Sequence, residues 1–320
     1  MTNNIIESSH SDESATTESL DPQRAVGSVT VGIPAYNEES TIASVVTETR
    51  KHVSDVLVVD DGSTDETAAM AEAAGATVVT HERNQGYGSA LKTLFVEADS
   101  RNVDHLVILD ADGQHDPSDV KRLVEGQRTT GAAIVIGSRF AEGAVTDAPL
   151  YRRFGLTVVN SLTNLGLSLT STTLRLTDTQ SGFRIYDAAA IETMSRKATL
   201  SDGMDVSIDI LFEAVNDGHE IAEVPIDITY DVEDASTHHP LVQGLVLLLN
   251  ILARLYTERP SQLLNIPAFL CIVAGGGLAI AMVSNNAIIQ TVPIAVVGVL
   301  LCLGAALSGA AFVFDKQASK

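Results

Sequence analysis

From Ser28 to about Ser138, short runs of β-branched and apolar residues alternate with stretches of amphipathic, helix-like spacing. SVTVGIPAY, DVLVVDD, ATVVTH, DHLVILDAD and AAIVIGSR read as strands, and helical stretches begin near Glu38, Asp65, Gly86 and Pro117. Strands separated in this way build βαβ units, whose strands run parallel beneath covering helices. LVVD and LVILD are apolar at nearly every position, as a strand buried on both faces requires. The pattern predicts an α/β fold with a mostly parallel sheet.

Beyond Arg139 the pattern is less regular. YRRFGLTVVNSLTNLGLSL predicts a helix, and DTQSGFRIY a turn into a short strand. MDVSIDILFEAVNDG predicts a helix ended by Gly218, and EIAEVPIDITY an alternating strand in which Pro225 marks an edge or bulge. The apolar segment opening at Pro240 carries Arg254 and is short for a membrane span, so an interfacial helix lying on a bilayer is expected at 240–258. Leu263 to Val283 and Thr291 to Phe314 contain no charged residue and match the roughly 20 residues a bilayer core needs. They predict a transmembrane hairpin within residues 259–320. Arg254, Arg259, Lys316 and Lys320 flank it on one side, which by the positive-inside rule leaves the α/β domain and both termini in the cytoplasm. Residues 1–27 are polar and rich in Ser, Thr and Glu, without the basic and apolar blocks of a signal peptide; they read as a disordered tail before a domain spanning 28–239.

Composition changes this picture in two ways. Of 320 residues, 41 are acidic against 20 Lys plus Arg, a formal net charge of −21. Such a surface repels phosphate backbones and argues against nucleic acid as a partner. The acids are scattered and only 6 of the basic residues are Lys, which fits a salt-rich cytosol where screening removes long-range self-repulsion. The two cysteines, Cys271 and Cys302, both lie in apolar runs and form neither a disulfide scaffold nor a metal-type spacing.

Candidate chemistry gathers at strand ends. Asp110-Ala111-Asp112-Gly113-Gln114-His115 follows LVIL, and ligands of open parallel sheets bind outside the carboxyl ends of strands. Asp110, Asp112 and Gln114, at alternate positions, offer oxygen ligands suited to Mg2+ or Mn2+ shared with substrate phosphates. An isolated Asp-x-Asp is weak evidence, because a solvated helix-capping turn has the same look. Three further segments reach the same edge, however. They are Val31 to Glu39 (VGIPAYNEE), Val59 to Asp65 (VDDGSTD) and Asn84 to Gly88 (NQGYG). Gly86 and Gly88 lack the third glycine of a dinucleotide fingerprint, which disfavours an oxidoreductase.

The ordered set IPAYNEE, VVDDGSTDET, NQGYGSAL, DADGQHDP, GSRF and DTQSGFRIY resembles the inverting GT-A glycosyltransferases that include dolichyl-phosphate mannose and glucose synthases, over about residues 28–190. The resemblance implies a metal-dependent enzyme that moves a hexose from a UDP- or GDP-linked donor to dolichyl or polyprenyl phosphate. It further implies a first step of lipid-linked glycan assembly for protein N-glycosylation. It assigns the donor to Pro34, Tyr36, Glu38, Asp60, Asp61 and Ala111, and the metal to Asp112 and Gln114 with Asp110 close by. Arg139, Arg152, Arg153 and Ser181 fall to the acceptor phosphate, and Asp178 to the acceptor side as an optional base. Guanidinium forks suit phosphate oxygens. The family's basic R-x-x-G-x-S-(K) pattern after the strand VPIDITY is missing, with His238 or His239 the only stand-ins, so the donor's identity is not fixed. A homo-oligomer formed through the hairpin stays open. A synthase that extends a lipid-linked or polysaccharide glycan would usually carry Q-x-x-R-W, and the chain has no Trp. A non-catalytic nucleotide-binding module would be expected to lose Asp110 and Asp112, and a sugar nucleotidyltransferase lacks its glycine-rich N-terminal loop here.

Overall fold

The computed structural model describes residues 28–144, 150–169, 174–198, 200–227, 260–283 and 294–318. The tail 1–27, the expected interfacial helix at 240–258, and His238 and His239 lie outside these residues. Val29–Ala35 (β1), Asp55–Asp60 (β2), Thr77–Thr80 (β3), His105–Ile108 (β4) and Ile134–Ser138 (β5) are strands, as their apolar runs predict. Between them lie Ile42–Thr49 (α1), Thr67–Ala73 (α2), Tyr87–Ser100 (α3) and Val120–Thr130 (α4), the last entered through a 3-10 turn at Pro117–Asp119. Just ahead of α2, whose N-cap position is Glu66, the Asp65 carboxylate accepts from the Thr67 N–H at 3.1 Å.

The sheet order is β3-β2-β1-β4-β6-β5-β7, where β6 is Arg184–Asp187 and β7 is Ile221–Pro225. All pairings are parallel except those of β6, which runs antiparallel between β4 and β5. Pro225 ends β7, the edge strand beside β5, where its missing N–H breaks no ladder. Leu150–Leu169 (α5), Ala188–Ser195 (α6) and Val206–Asn216 (α7) complete this domain, and Gly218, at φ 79°, ends α7 in the left-handed conformation that glycine tolerates.

Strand alternation divides the core into two layers. Leu57 and Val59 face α3, α6 and α7 with Leu94, Phe95, Tyr186, Ile191 and Phe212. Val56 and Val58 face α1 and α4 with Ile42, Val46 and Leu123. Each fully buried large apolar side chain contributes about 1.5–3 kcal/mol. With both faces covered, the open ends of the strands are where polar groups collect.

Two further helices, Pro260–Val283 (α8) and Ile294–Ala318 (α9), pack against each other. Glycine permits the close approach: a Cβ on Gly275 would lie 2.9 Å from Leu301, and one on Gly304 would lie 2.9 Å from the Ala268 carbonyl. The expected transmembrane spans need correction. Among the described residues no helix is long and apolar enough to cross a membrane, and Gln262, Asn265 and the in-helix Pro267 make the first turns of α8 polar or irregular. What the structure supports is a helical hairpin.

Candidate active site at the carboxyl edge of the sheet

The β1 and β2 loops are stitched together first. Asn37 adopts φ 55°, tolerable for Asn, which lets its side-chain oxygen accept from the Thr64 N–H at 2.9 Å while its own N–H donates to Ser63 Oγ at 2.9 Å. The Glu38 N–H donates to Thr67 Oγ1 at 2.8 Å. Asp60, 2% exposed, is held by the Ser63 N–H and hydroxyl. Asp61 is turned toward the next loop, where its carboxylate accepts from the N–H groups of Gln85 at 3.0 Å and Gly86 at 2.7 Å and pairs with His81 Nδ1 at 2.6 Å. Of the sequence-assigned donor residues, Pro34 and Ala111 are buried at strand ends, Tyr36 is exposed, and Asp61 organises the NQG loop.

The end of β4 supplies the acidic centre. Asp110 Oδ1 accepts from the Tyr87 hydroxyl at 3.0 Å, and its Oδ2 faces His115 Nε2 at 4.0 Å. Asp112 is folded onto its own turn, its Oδ1 accepting from the Gln114 N–H at 2.9 Å. Burial raises the carboxyls of Asp110, Asp112 and Glu38 above the usual range, and proximity adds to it: Asp112 and Asp110 push Glu38 up, and Asp110 pushes Asp112 up. His115 is buried, which lowers its pKa to about 4, so the imidazole is neutral at physiological pH. Its ring lies 5.0 Å from that of Phe183.

Because β6 is antiparallel, its beginning, not its end, lies at this edge. The segment before it closes the site from the far side. Asp178, with no exposed surface, receives Arg139 bidentately, Nε to Oδ2 at 2.6 Å and Nη2 to Oδ1 at 2.7 Å, plus the Arg139 N–H at 3.0 Å. Burial alone would raise the Asp178 carboxyl; the Arg139 hydrogen bonds and charge hold it below the usual range. Glu223 accepts from the N–H groups of Thr177 and Asp178 at 2.8 Å each, fixing the segment to β7. Arg184, 1% exposed, donates to the carbonyls of Thr179 at 2.9 Å, Ser181 at 2.8 Å and Ser207 at 3.0 Å. Its charge also acts on Asp110.

The structure thus brings Glu38, Asp110, Asp112, Arg139 and Asp178 to one edge. The Arg139 fork, assigned to acceptor phosphate from sequence, grips Asp178. The side chains of Arg152 and Arg153 lie outside the described residues. Tyr87, His115 and Arg184 lie within the segments NQGYG, DADGQHDP and DTQSGFRIY that the sequence singles out, but sequence alone assigns no role to any of the three. No group of three or more His, Cys, Asp and Glu able to hold a metal ion occurs among the described residues. Asp112, its neighbour Gln114 and the repelling Asp110 and Glu38 nevertheless fit a hard cation completed by ligand oxygens, because Mg2+ typically takes one or two carboxylates plus substrate phosphates.

Residues 30–194 match the family model described as glycosyl transferase family 2. The chain is 30% identical over 62% of its length to a UDP-N-acetylglucosamine–dolichyl-phosphate N-acetylglucosaminyltransferase of Methanococcus voltae, covering 84% of that protein. It is 31% identical over 62% of its length to the polyprenol monophosphomannose synthase of Mycolicibacterium smegmatis, covering 76% of it. Among solved structures, glucosyl-3-phosphoglycerate synthase from Mycobacterium tuberculosis in complex with Mn2+, UDP and phosphoglyceric acid superposes with a TM-score of 0.54 at 24% identity, over 73% of this chain and 79% of that one. This likeness gives the fold, GT-A.

Proposed function

The chain belongs to glycosyl transferase family 2, and on that premise we propose that it transfers a hexosyl group from a UDP- or GDP-linked sugar to dolichyl or another polyprenyl phosphate. The observation that carries the reading is the convergence of Asp110, Asp112 and Glu38 from the nucleotide-side half with the Arg139–Asp178 pair from the other half at one edge of the sheet. The two relatives named for transfer to lipid phosphates support it.

The proposed acceptor is already anionic near neutral pH, since the second pKa of a phosphate monoester is about 6. It needs no strong base to become a nucleophile. The protein's tasks are to hold two anions together and to receive the departing nucleoside diphosphate. Asp178, tied to Arg139 and held ionised, orients the guanidinium. Arg139 then brings its charge to the acceptor side. Asp60 and Glu38 stand at the nucleotide side. Asp112 and the Gln114 amide would hold Mg2+ or Mn2+, which when bound neutralises the diphosphate as a Lewis acid. A single in-line attack at the anomeric carbon forms the new C–O bond to the lipid phosphate as the bond to the diphosphate breaks, inverting the configuration.

The α8–α9 hairpin holds this domain at a lipid surface. Phe269 is 66% and Val299 64% exposed, with Val273 and Leu303 also open, an apolar face that water does not favour. The product would enter lipid-linked glycan assembly, and the excess of acidic residues suits a salt-rich cytosol. Membranes bearing the protein, incubated with radiolabelled UDP- and GDP-sugars and then extracted with organic solvent, should place label in an acid-labile lipid phosphate. Label found only in water-soluble polymer would overturn the reading, and protein that fails to sediment with lipid vesicles would overturn the lipid attachment.

A further inference from the structure

The imidazole of His115 stands inside the site with no hydrogen-bond partner among the described residues. The residue is 9% exposed, its Nδ1 is buried without a partner, and its Nε2 is 4.0 Å from Asp110 Oδ2, beyond hydrogen-bond reach. An unmet buried polar group of this kind is costly to leave without a partner. Packing against Phe183 alone would be served as well by a phenyl ring. Asp110 is held on two sides, because the Tyr87 hydroxyl occupies Oδ1 and Gly182 packs against Oδ2. Oδ2 and Nε2 therefore stand 4.0 Å apart, with Oδ2 fixed in place.

The chemistry of that pair is specific. A carboxylate oxygen only accepts; the facing tautomer of a neutral imidazole presents an N–H that only donates. An oxygen at an ordinary distance of about 2.8 Å from both atoms reaches them from beside the line that joins them, about 2 Å off it. It must donate to one and accept from the other, which a hydroxyl does. A phosphate oxygen would suit the imidazole and be repelled by the carboxylate, and an ammonium would do the reverse.

We propose that His115 Nε2–H and Asp110 Oδ2 hold one hydroxyl of the transferred hexosyl ring between them, which makes His115 a specificity-determining residue for the donor. The assignment rests on the glycosyl-transfer reading above. It explains why a polar ring is retained where an apolar one would pack. It also separates the two acidic residues in role, with Asp110 reading the sugar and Asp112 serving the diphosphate side.

The test uses the full chain in membranes with polyprenyl phosphate and, in turn, UDP-glucose, UDP-N-acetylglucosamine and GDP-mannose. The donor turned over is then compared with its single deoxy analogues, in the wild type and in His115→Phe. In the wild type one analogue should fall about 10–100-fold in kcat/KM, the worth of a hydroxyl held by an otherwise unpaired buried group. In His115→Phe that preference should shrink at least about fivefold, while preferences at the other hydroxyls stay put. A ratio measured within one variant does not depend on how much of it folds, and His115→Leu gives the same ratio if the Phe variant accumulates poorly. Unchanged deoxy preferences in these variants mean that the ring only packs, or holds a water, and overturn the assignment. Absence of transfer by the wild type from every donor is a different result, which brings down the transferase reading itself.

Discussion

Gly182 touches Asp110. A methyl group on its α-carbon would lie 2.8 Å from Asp110 Oδ2 and 3.0 Å from the Tyr87 hydroxyl. The turn leading into β6 and the end of β4 therefore share a wall with no room for a side chain. Gly182→Ala should displace the carboxylate and lower kcat/KM by about 100-fold, the scale of a one-ångström misplacement. Thermal melting should fall by only a few degrees, roughly what 1 kcal/mol gives a domain of this size. Transfer assays and a melt on the same preparation check both halves.

The Arg139–Asp178 pair makes a separate demand on stability. Arg139→Ala would leave a carboxylate with no exposed surface unpaired, a loss of about 3–5 kcal/mol in denaturant unfolding. Replacing both residues by Leu should recover much of that stability without recovering transfer. If the single and double variants unfold alike, the pair is not what holds the segment.

Acid should expose the same pair. The native Asp178 carboxyl lies below its unfolded value, so its stabilisation is present above the unfolded pKa of about 4 and lost as pH falls through the lowered native one. Glu38, Asp110 and Asp112 behave oppositely: their raised native values make the ionised forms costly, and protonation relieves that cost. Stability should hold or rise slightly on acidification to about pH 5 and then collapse below about pH 4. Asp178→Asn, weaker at neutral pH, should lose much less over the acid step in a pH series of melts.

The crowding of Glu38, Asp110 and Asp112 predicts a response to cations. Mn2+ together with UDP should raise the melting temperature of the wild type, by the equivalent of about 2.7 kcal/mol at a hundred times the dissociation constant. In Asp112→Asn the shift should largely vanish, and transfer should drop by about 10²–10³-fold. An equal thermal shift in both proteins would remove Asp112 from cation binding.

The nucleotide-side half of the fold was legible because each of its strands announces itself locally. LVVD and LVILD can only be buried strands, and Asp65 stands just ahead of α2. The place of β6 was not legible. RIYD carries no mark of direction, and its insertion between β4 and β5 is decided by pairing partners far away in sequence. The same holds for the site. Asp110 and Asp112 were visible as a motif, whereas Tyr87, His115 and Arg184 gain their meaning from what they face. Asp61 shows the converse, since a conspicuous acidic doublet concealed that one of its members ties a neighbouring loop.

A reversed strand at the heart of the sheet divides the labour of evolution. β1 to β4 form one continuous parallel half, beside which the segment from Leu174 to Phe183 is fastened through Asp178, Glu223 and Arg184. Under the proposed acceptor assignment, changes confined to that segment could alter what receives the sugar while the β1–β4 half stays as it is.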